Sequence, residues 1–223
     1  MASQTKRRKI KGMILHTALM TRLKSKTSKL MSFVKMCNDF ALIKRNKIKD
    51  DLTLETDAEH TYQVAMVSWY VNSAYSLRLN EEKILKYALV HDIPEVRAGD
   101  VSSIHKHRDP TLRARQSRNE AQAAKYIQKD FGEFKDFRSI YEKYESQDDE
   151  EAKLVYAIDK FLAFINMYLM KNDHYCHDEK CTKEEYVAER LLRLKNQPLI
   201  KKIFLELVPI VDQAGIFYKP LKK

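Results

Sequence analysis

The sequence predicts an all-α protein, and three observations carry that expectation. Only four Gly and five Pro occur in 223 residues, so turn signals are sparse. No convincing segment alternates apolar and polar residues with period two. Apolar residues instead recur at helical spacing in one stretch after another. At this length the chain is expected to be one domain, or one domain with an arm, and can bury a sizeable core.

The net charge of +10 is unevenly placed. Residues 1–49 carry fourteen Lys/Arg against a single acid, Asp39, whereas the remainder carries twenty-seven against thirty. The basicity therefore belongs to the N-terminal segment rather than to the fold. No apolar run approaches the ~20 residues that span a bilayer, so no membrane partner is expected. The N-terminus lacks the apolar stretch of a secretory signal. Three Cys, an odd number, give no disulfide framework. A soluble chain in a reducing, cytoplasmic compartment is the expectation.

The elements follow in order. Residues 1–11, MASQTKRRKIK, are a charge run and read as a solvated arm. A weak contact with nucleic acid or another acidic surface, and a nuclear address, are the alternatives. No aromatic is interleaved, which argues against a specific single-strand site. The pattern over 12–27 is weak, so the arm is taken as 1–27 and the folded part as 28–223. Leu30, Phe33, Val34, Cys37, Phe40 and Ala41 predict a core-facing helix over 28–43, with Cys37 as a small core residue. IKRNKIKDD, which contains Arg45, reads as a basic connector.

Asp57 can cap a helix over 58–78. On it His60, Val64, Val67 and Val71 share one face, so His60 enters an apolar setting. Considered alone, such a histidine is more often a satisfied core residue than a ligand. Asn80 then caps a helix over 81–92, whose apolar Ile84, Leu85, Ala88 and Leu89 carry His91-Asp92 inward. Buried charge is costly unless it is paired or metal-bound. Pro94 interrupts the helix, Glu95 follows it, and Gly99 permits a tight turn before Asp100.

VSSIHKHRDP (101–110) reads as a polar loop whose His105 and His107 face substrate or solvent rather than metal. A charged helix over 111–131 presents Ala121, Ala124 and Ile127. A shorter one carries Phe134, Phe137, Ile140, Tyr141 and Tyr144. The acids at 148–151 suit the start of a helix over 149–171. Its stripe is Val155, Ile158, Asp159, Leu162 and Ile165. Asp159 is thus a carboxylate on an apolar face, either a ligand or a buried acid paired with Arg or Lys. DHYCHDEKC (173–181) holds two Cys and two His that could bind zinc, but their spacing matches no structural zinc pattern, so a polar loop is expected. Thr182 and Glu185 predict a capping box for a helix over 183–196. A short apolar helix over 198–208 and an extended tail complete the chain. Internal repeats and Gly-rich phosphate loops are absent from the sequence.

The order His60, His91-Asp92, Asp159, set in AEHTYQVAMV, ALVHDIPEVRAGDV and YEKYESQDDEEAKLVYAIDK, resembles the HD-domain metal-dependent phosphohydrolases, in particular the 5′-deoxynucleotidase branch and its close relatives. The resemblance spans about residues 30–172. It implies an HD-domain helical bundle with the metal site between helices, a homodimer, and one divalent ion held by His60, His91, Asp92 and Asp159. Two imidazoles and two carboxylates suit Mn, Co, Fe, Ni or Zn. It implies catalytic roles for Glu95 and Asp100. Asp100, Val101, Ser102 and Ser103 match a substrate-contacting loop, and Arg45 matches an arginine that orients the phosphate. A Trp commonly follows that arginine in the family. Here Asn46 stands there, and the one Trp is Trp69.

The implied activity is hydrolysis of deoxynucleotides at the 5′ phosphate ester, either as a 5′-deoxynucleotidase or as a triphosphohydrolase. A phosphate ester repels nucleophiles, and a divalent ion offsets that charge and acidifies water. The leaving alkoxide needs a proton, which Glu95 or Asp100 can supply. Two other readings remain. A guanosine tetraphosphate hydrolase of the same superfamily would carry HD-x-x-ED, but Val96 follows Glu95 here. An inactive scaffold that binds nucleic acid through its basic arm would be supported by a lost ligand, but all four are present.

Overall fold

The computed structural model describes residues 25–48, 53–99 and 101–220. The arm up to residue 24 and Asp100 lie outside the described residues, so the expectations for them are carried forward untouched. The chain divides into two units at Asp39/Phe40. Helix α1 (Ser25–Phe40) supplies the described part of the first.

The helix expected over 28–43 is present over 25–40, and of its expected stripe Phe40 is buried but much of the rest is not. Leu30 and Val34 are 61% and 50% exposed and Cys37 is exposed, whereas Met36 and Phe40 are buried. Apolar residues occur on more than one side of this helix, so periodicity alone could not select the buried stripe. Cys37 is therefore a surface thiol rather than a core residue.

The second unit opens with a small hairpin, β1 (Lys44–Ile48) and β2 (Leu54–Thr56), paired antiparallel with Lys44 opposite Thr56 and Ile48 opposite Leu54. The basic connector expected here is thus a strand. Strands this short, without clean alternation, leave no pattern to read. An isolated two-stranded ribbon is marginal in water. This one is held at both ends: β1 lies against α9 (His174–Asp178), and β2 runs directly into α2 (Asp57–Ala74). Apart from it, the described residues form helices and their connections, as the all-α expectation requires.

The core is built around α8 (Glu150–Leu169), which packs against α2, α3 (Glu81–Val90), α7 (Phe137–Ser146), α10 (Lys183–Arg193) and α11 (Pro198–Gln213). Leu154, Val155, Ile158, Leu162 and Phe164 are buried around several sides of α8, as suits a helix enclosed by others. Its N-terminus is fixed by Asp149, whose side chain accepts from Ala152 N at 2.9 Å. Asn80 caps α3 in the same way, accepting from Lys83 N at 3.0 Å. The cap of α2 is Thr56 rather than the expected Asp57. Thr56 and Glu59 form a reciprocal capping box, which displaces Asp57 into the first helical turn, fully buried.

Other expectations are corrected locally. VSSIHKHRDP is not a loop throughout: Ser103–Arg108 form α5, with Ile104 buried. In α6 (Pro110–Asp130), Ala124 and Ile127 are buried as expected, but Ala123 rather than Ala121 joins them. DHYCHDEKC, expected as a polar loop, contains α9 and places Cys176 and Cys181 fully inside the core. Thr182 caps α10, but the Glu185 carboxylate is drawn to Arg108 at 2.7 Å, so the box is half made. Helix α11 continues past 208 and across Pro209. The tail packs back, with Ile216 and Phe217 buried. Among the described residues no helix is long and apolar enough to cross a membrane.

Candidate metal centre and its cleft

Three helices deliver the four expected ligand-type side chains. The capping box sets the rotation of α2, and one turn in, His60 points inward with no exposed surface. Helix α3 ends at His91, whose Nδ1 donates to the Ala88 carbonyl at 2.7 Å. A carbonyl can only accept, so that bond places the ring proton on Nδ1 and leaves the Nε2 lone pair to face the centre. The chain then turns tightly, Glu95 N donating to Asp92 O at 2.9 Å, and α4 (Glu95–Ala98) begins directly after Pro94. The break turns the backbone so that His91, Asp92 and Glu95 all line one region. Gly99, at φ 73°, makes the left-handed turn that follows. Asp159 comes from the middle of α8, between buried Ile158 and Leu162.

His60, His91 and Asp92 bring ligand atoms within 4.8 Å of one another, and Asp159 joins them through His60. His60 Nε2 is 3.0 Å from Asp159 Oδ1 and 3.9 Å from Asp92 Oδ2, and His91 Nε2 is 3.1 Å from Asp92 Oδ2. The last pair is within ion-pair distance. Two donors side by side, each ~2.1 Å from a shared ion at octahedral angles, would stand about 3.0 Å apart. An imidazole nitrogen 3.1 Å from a carboxylate oxygen stands at a separation at which the two can share one cation. Two nitrogen and two oxygen donors at these separations fit a divalent transition ion.

Charges around the centre hold the carboxylates ionised. Arg45 Nη1 donates to Asp92 Oδ2 at 2.6 Å and to Asp57 Oδ1 at 3.1 Å, and its Nε lies 3.5 Å from Glu55 Oε2. Burial opposes the charge on Asp92, but His91 and Arg45 outweigh it and hold the carboxyl well below its ordinary range. Asp159 is likewise opposed by burial and held low by Lys160, whose Nζ is 2.6 Å away, and by His60. Tyr144 donates to the second oxygen of Asp159 at 3.3 Å.

The centre opens into a cleft whose walls include Arg45, Asp92, Glu95, Asp159, Val101, Ser102 and Ser103. Every expected site residue that is described thus lines this cleft or the metal centre. A second cavity adjoins it, sharing Asp92, Glu95 and Lys160 and adding Glu120 and Glu145. His105 is engaged elsewhere, 2.7 Å from Glu179, and the thiols of Cys176 and Cys181 lie in the core. Sequence reading missed Glu55, Asp57, Lys160 and Arg190. Lys160 directly follows Asp159, and a base beside a buried acid was the available signal. Asp57 was misread as a cap because Thr56 and Asp57 are both good caps. Arg190 carried no signal beyond its spacing of one turn from Tyr186.

A family model described as HD domain matches residues 39–200. Among curated proteins, the 5'-deoxynucleotidase HDDC2 of Danio rerio is 30% identical over 116 residues, 51% of this chain and 54% of that one. The 5'-deoxynucleotidase YBR242W of Saccharomyces cerevisiae is 25% identical over 126 residues, 54% of this chain and 50% of that one. The chain therefore spans about half the length of the curated relatives it matches. Among solved structures, a predicted metal-dependent phosphohydrolase from Magnetospirillum magnetotacticum superposes over 88% of this chain and 100% of its own, with a TM-score of 0.73 at 19% identity. The PH0347 protein of Pyrococcus horikoshii covers 83% of this chain and 98% of its own, with a TM-score of 0.53 at 21% identity. At these identities the structural likeness concerns the fold.

Proposed function

The chain belongs to the HD domain family, and from that membership we propose that it is a metal-dependent phosphohydrolase that cleaves deoxynucleotides at the 5′ phosphate ester. One observation carries the proposal most: His60, His91 and Asp92 bring ligand atoms within 4.8 Å of one another, with Asp159 3.0 Å from His60, beside a cleft lined by Arg45 and Glu95. The curated relatives named 5'-deoxynucleotidase support the substrate class.

In this reading His60, His91, Asp92 and Asp159 would hold a divalent ion, which would offset the charge of the phosphate and lower the pKa of a nearby water. Arg45, fixed on Asp57 and Asp92, binds and orients the phosphate. Glu95 faces the same space and directs the attacking water or takes its proton. The 5′ alkoxide leaves with a proton from Asp100, or from Glu95 if Asp100 serves only to bind. Val101, Ser102 and Ser103 contact the sugar side of the substrate. The scissile bond is the same in a monophosphate and in a triphosphate, so the site suits either. A homodimer comes with the same family reading, and light scattering on the purified chain checks it.

The test is a screen of nucleoside mono- and triphosphates against Mn, Co, Fe, Ni and Zn, reading phosphate, triphosphate and nucleoside release. Deoxynucleotides should turn over in at least one metal and ribonucleotides much less. No turnover of any deoxynucleotide, with metal bound, would defeat the reading.

A further inference from the structure

At one end of the cleft an arginine is buried with one of its donors unpartnered. Arg190, on α10, is 2% exposed and lines the cleft that holds Asp92 and Asp159. Its Nη1 is taken up by Glu189 at 3.0 Å, and its buried Nε is left without a hydrogen-bond partner. A buried donor without a partner is uncommon in a native interior, and a ligand acceptor can satisfy it.

The guanidinium is held firmly. It lies 4.8 Å from the Tyr186 ring centroid, Nη1 is 3.0 Å from Glu189 Oε2, and Nη2 reaches Ser103 Oγ at 3.4 Å. Glu189 offsets the positive charge, so Arg190 offers donors more than it offers net charge. That favours a neutral acceptor edge over a second phosphate. The phosphate already has Arg45 at the metal end of the cleft.

The lining of the cleft fits a nucleotide laid along it. Ser102 and Ser103 carry hydroxyls tied to Tyr175 Oη at 3.1 and 3.4 Å, next to the Gly99 turn. Beyond Ser103 come Arg190 and Tyr186, with Ala163 and Met167 as an apolar wall. Phosphate, sugar and base then meet cations, hydroxyls, and an arginine fork beside apolar surface, in that order. Nε and Nη2 of an arginine point the same way and match two acceptors side by side. Guanine presents such a pair, O6 and N7, and adenine does not, because its N6 is a donor.

We propose that Arg190 reads the O6/N7 edge of a guanine base and gives this site a preference for deoxyguanosine nucleotides. The inference rests on the deoxynucleotide reading above and adds the base. It needs no variant for its first test. At whichever phosphate length supports turnover, kcat/KM is compared for the guanine, hypoxanthine, adenine and 7-deazaguanine deoxynucleotides. Hypoxanthine keeps O6 and N7, adenine replaces the O6 acceptor, and 7-deazaguanine lacks N7. Guanine and hypoxanthine should exceed both others by at least about fivefold, the low end of the discrimination a bidentate pair provides. The second test uses Arg190→Lys and Arg190→Met, with circular dichroism to confirm folding. In each the guanine-to-adenine ratio should fall to within about twofold of unity. Equal rates on all four nucleotides in the unaltered chain would overturn the base assignment and leave the hydrolase reading standing. No turnover of any of them would overturn both. An unchanged ratio in both folded variants would place the preference elsewhere.

Discussion

Asp57 and Arg45 form a buried pair behind the metal centre: Arg45 Nη1 donates to Asp57 Oδ1 at 3.1 Å, and Asp57 has no exposed surface. The same nitrogen reaches Asp92 at 2.6 Å. The arginine is therefore positioned from behind by one carboxylate and held against the ligand set by another. Asp57→Asn should loosen it. The expected result is a KM raised severalfold with a smaller fall in kcat, and a stability loss on the order of 1–3 kcal/mol in urea unfolding. An unchanged KM would remove Asp57 from the positioning of Arg45.

Arg45 itself is better probed with Lys than with Ala. Truncation strands buried Glu55 and Asp57 and, at about 3–5 kcal/mol for a broken buried pair, puts folding at risk. Arg45→Lys keeps the charge and loses the fork that spans two carboxylates. Weaker substrate binding in calorimetry, with a folded chain, is the expected outcome. Wild-type affinity would mean that the phosphate is held by other cations.

His91→Ala and Asp92→Ala should abolish activity and lose bound metal without unfolding the chain. Each removes one of the converging donors. Elemental analysis of the purified variants decides the matter. Full metal content in both would sink the ligand assignment.

Glu95→Gln separates chemistry from metal binding. Glu95 lines the cleft beside Asp92 but belongs to α4, beyond the break at Pro94. The variant should retain metal and bind deoxynucleotide normally, yet turn over about 10²–10⁴-fold more slowly, the usual worth of a positioned acid or base. Ordinary turnover would make Asp100 the better proton carrier.

The three thiols should report the burial pattern directly. Cys37 is exposed, and Cys176 and Cys181 are fully buried. Titration with an aromatic disulfide should find one reactive thiol in the folded chain and all three in denaturant. Deleting residues 1–11, which lie outside the family match, should leave rate constants within about threefold, a change of ~0.7 kcal/mol or less.

The most legible parts of the sequence were those where one chemical group contradicts a strong pattern. His60 sits among Val64, Val67 and Val71, and Asp159 among Ile158 and Leu162, so a polar group on an apolar stripe marked each as special. The helices bearing them were legible for the same reason. Signals failed where patterns were short or doubled. The hairpin strands are too brief to alternate. Helix α1 has apolar residues on several sides, and of the stripe expected to be buried Phe40 is buried whereas Leu30 and Val34 are exposed. Cys176 and Cys181 looked like part of a polar loop because their charged neighbours dominate the composition. Arg190 lies in a run of charged residues on an amphipathic helix, and only tertiary packing shows that it turns inward.

The capping box at Thr56 and Glu59 has a consequence for how much this chain can change in length. It fixes the point at which helical winding begins, three residues before His60 is reached. Adding or removing one residue between cap and histidine would rotate the imidazole by about 100° around the helix axis, off the core-facing side. The same change in the short connection between α7 and α8 can be absorbed, since Asp149 restarts the winding before Asp159. The separation of Thr56 from His60 is thus a dimension that admits no tolerance. The connection just before Asp149 is one where an added residue leaves the register of Asp159 intact.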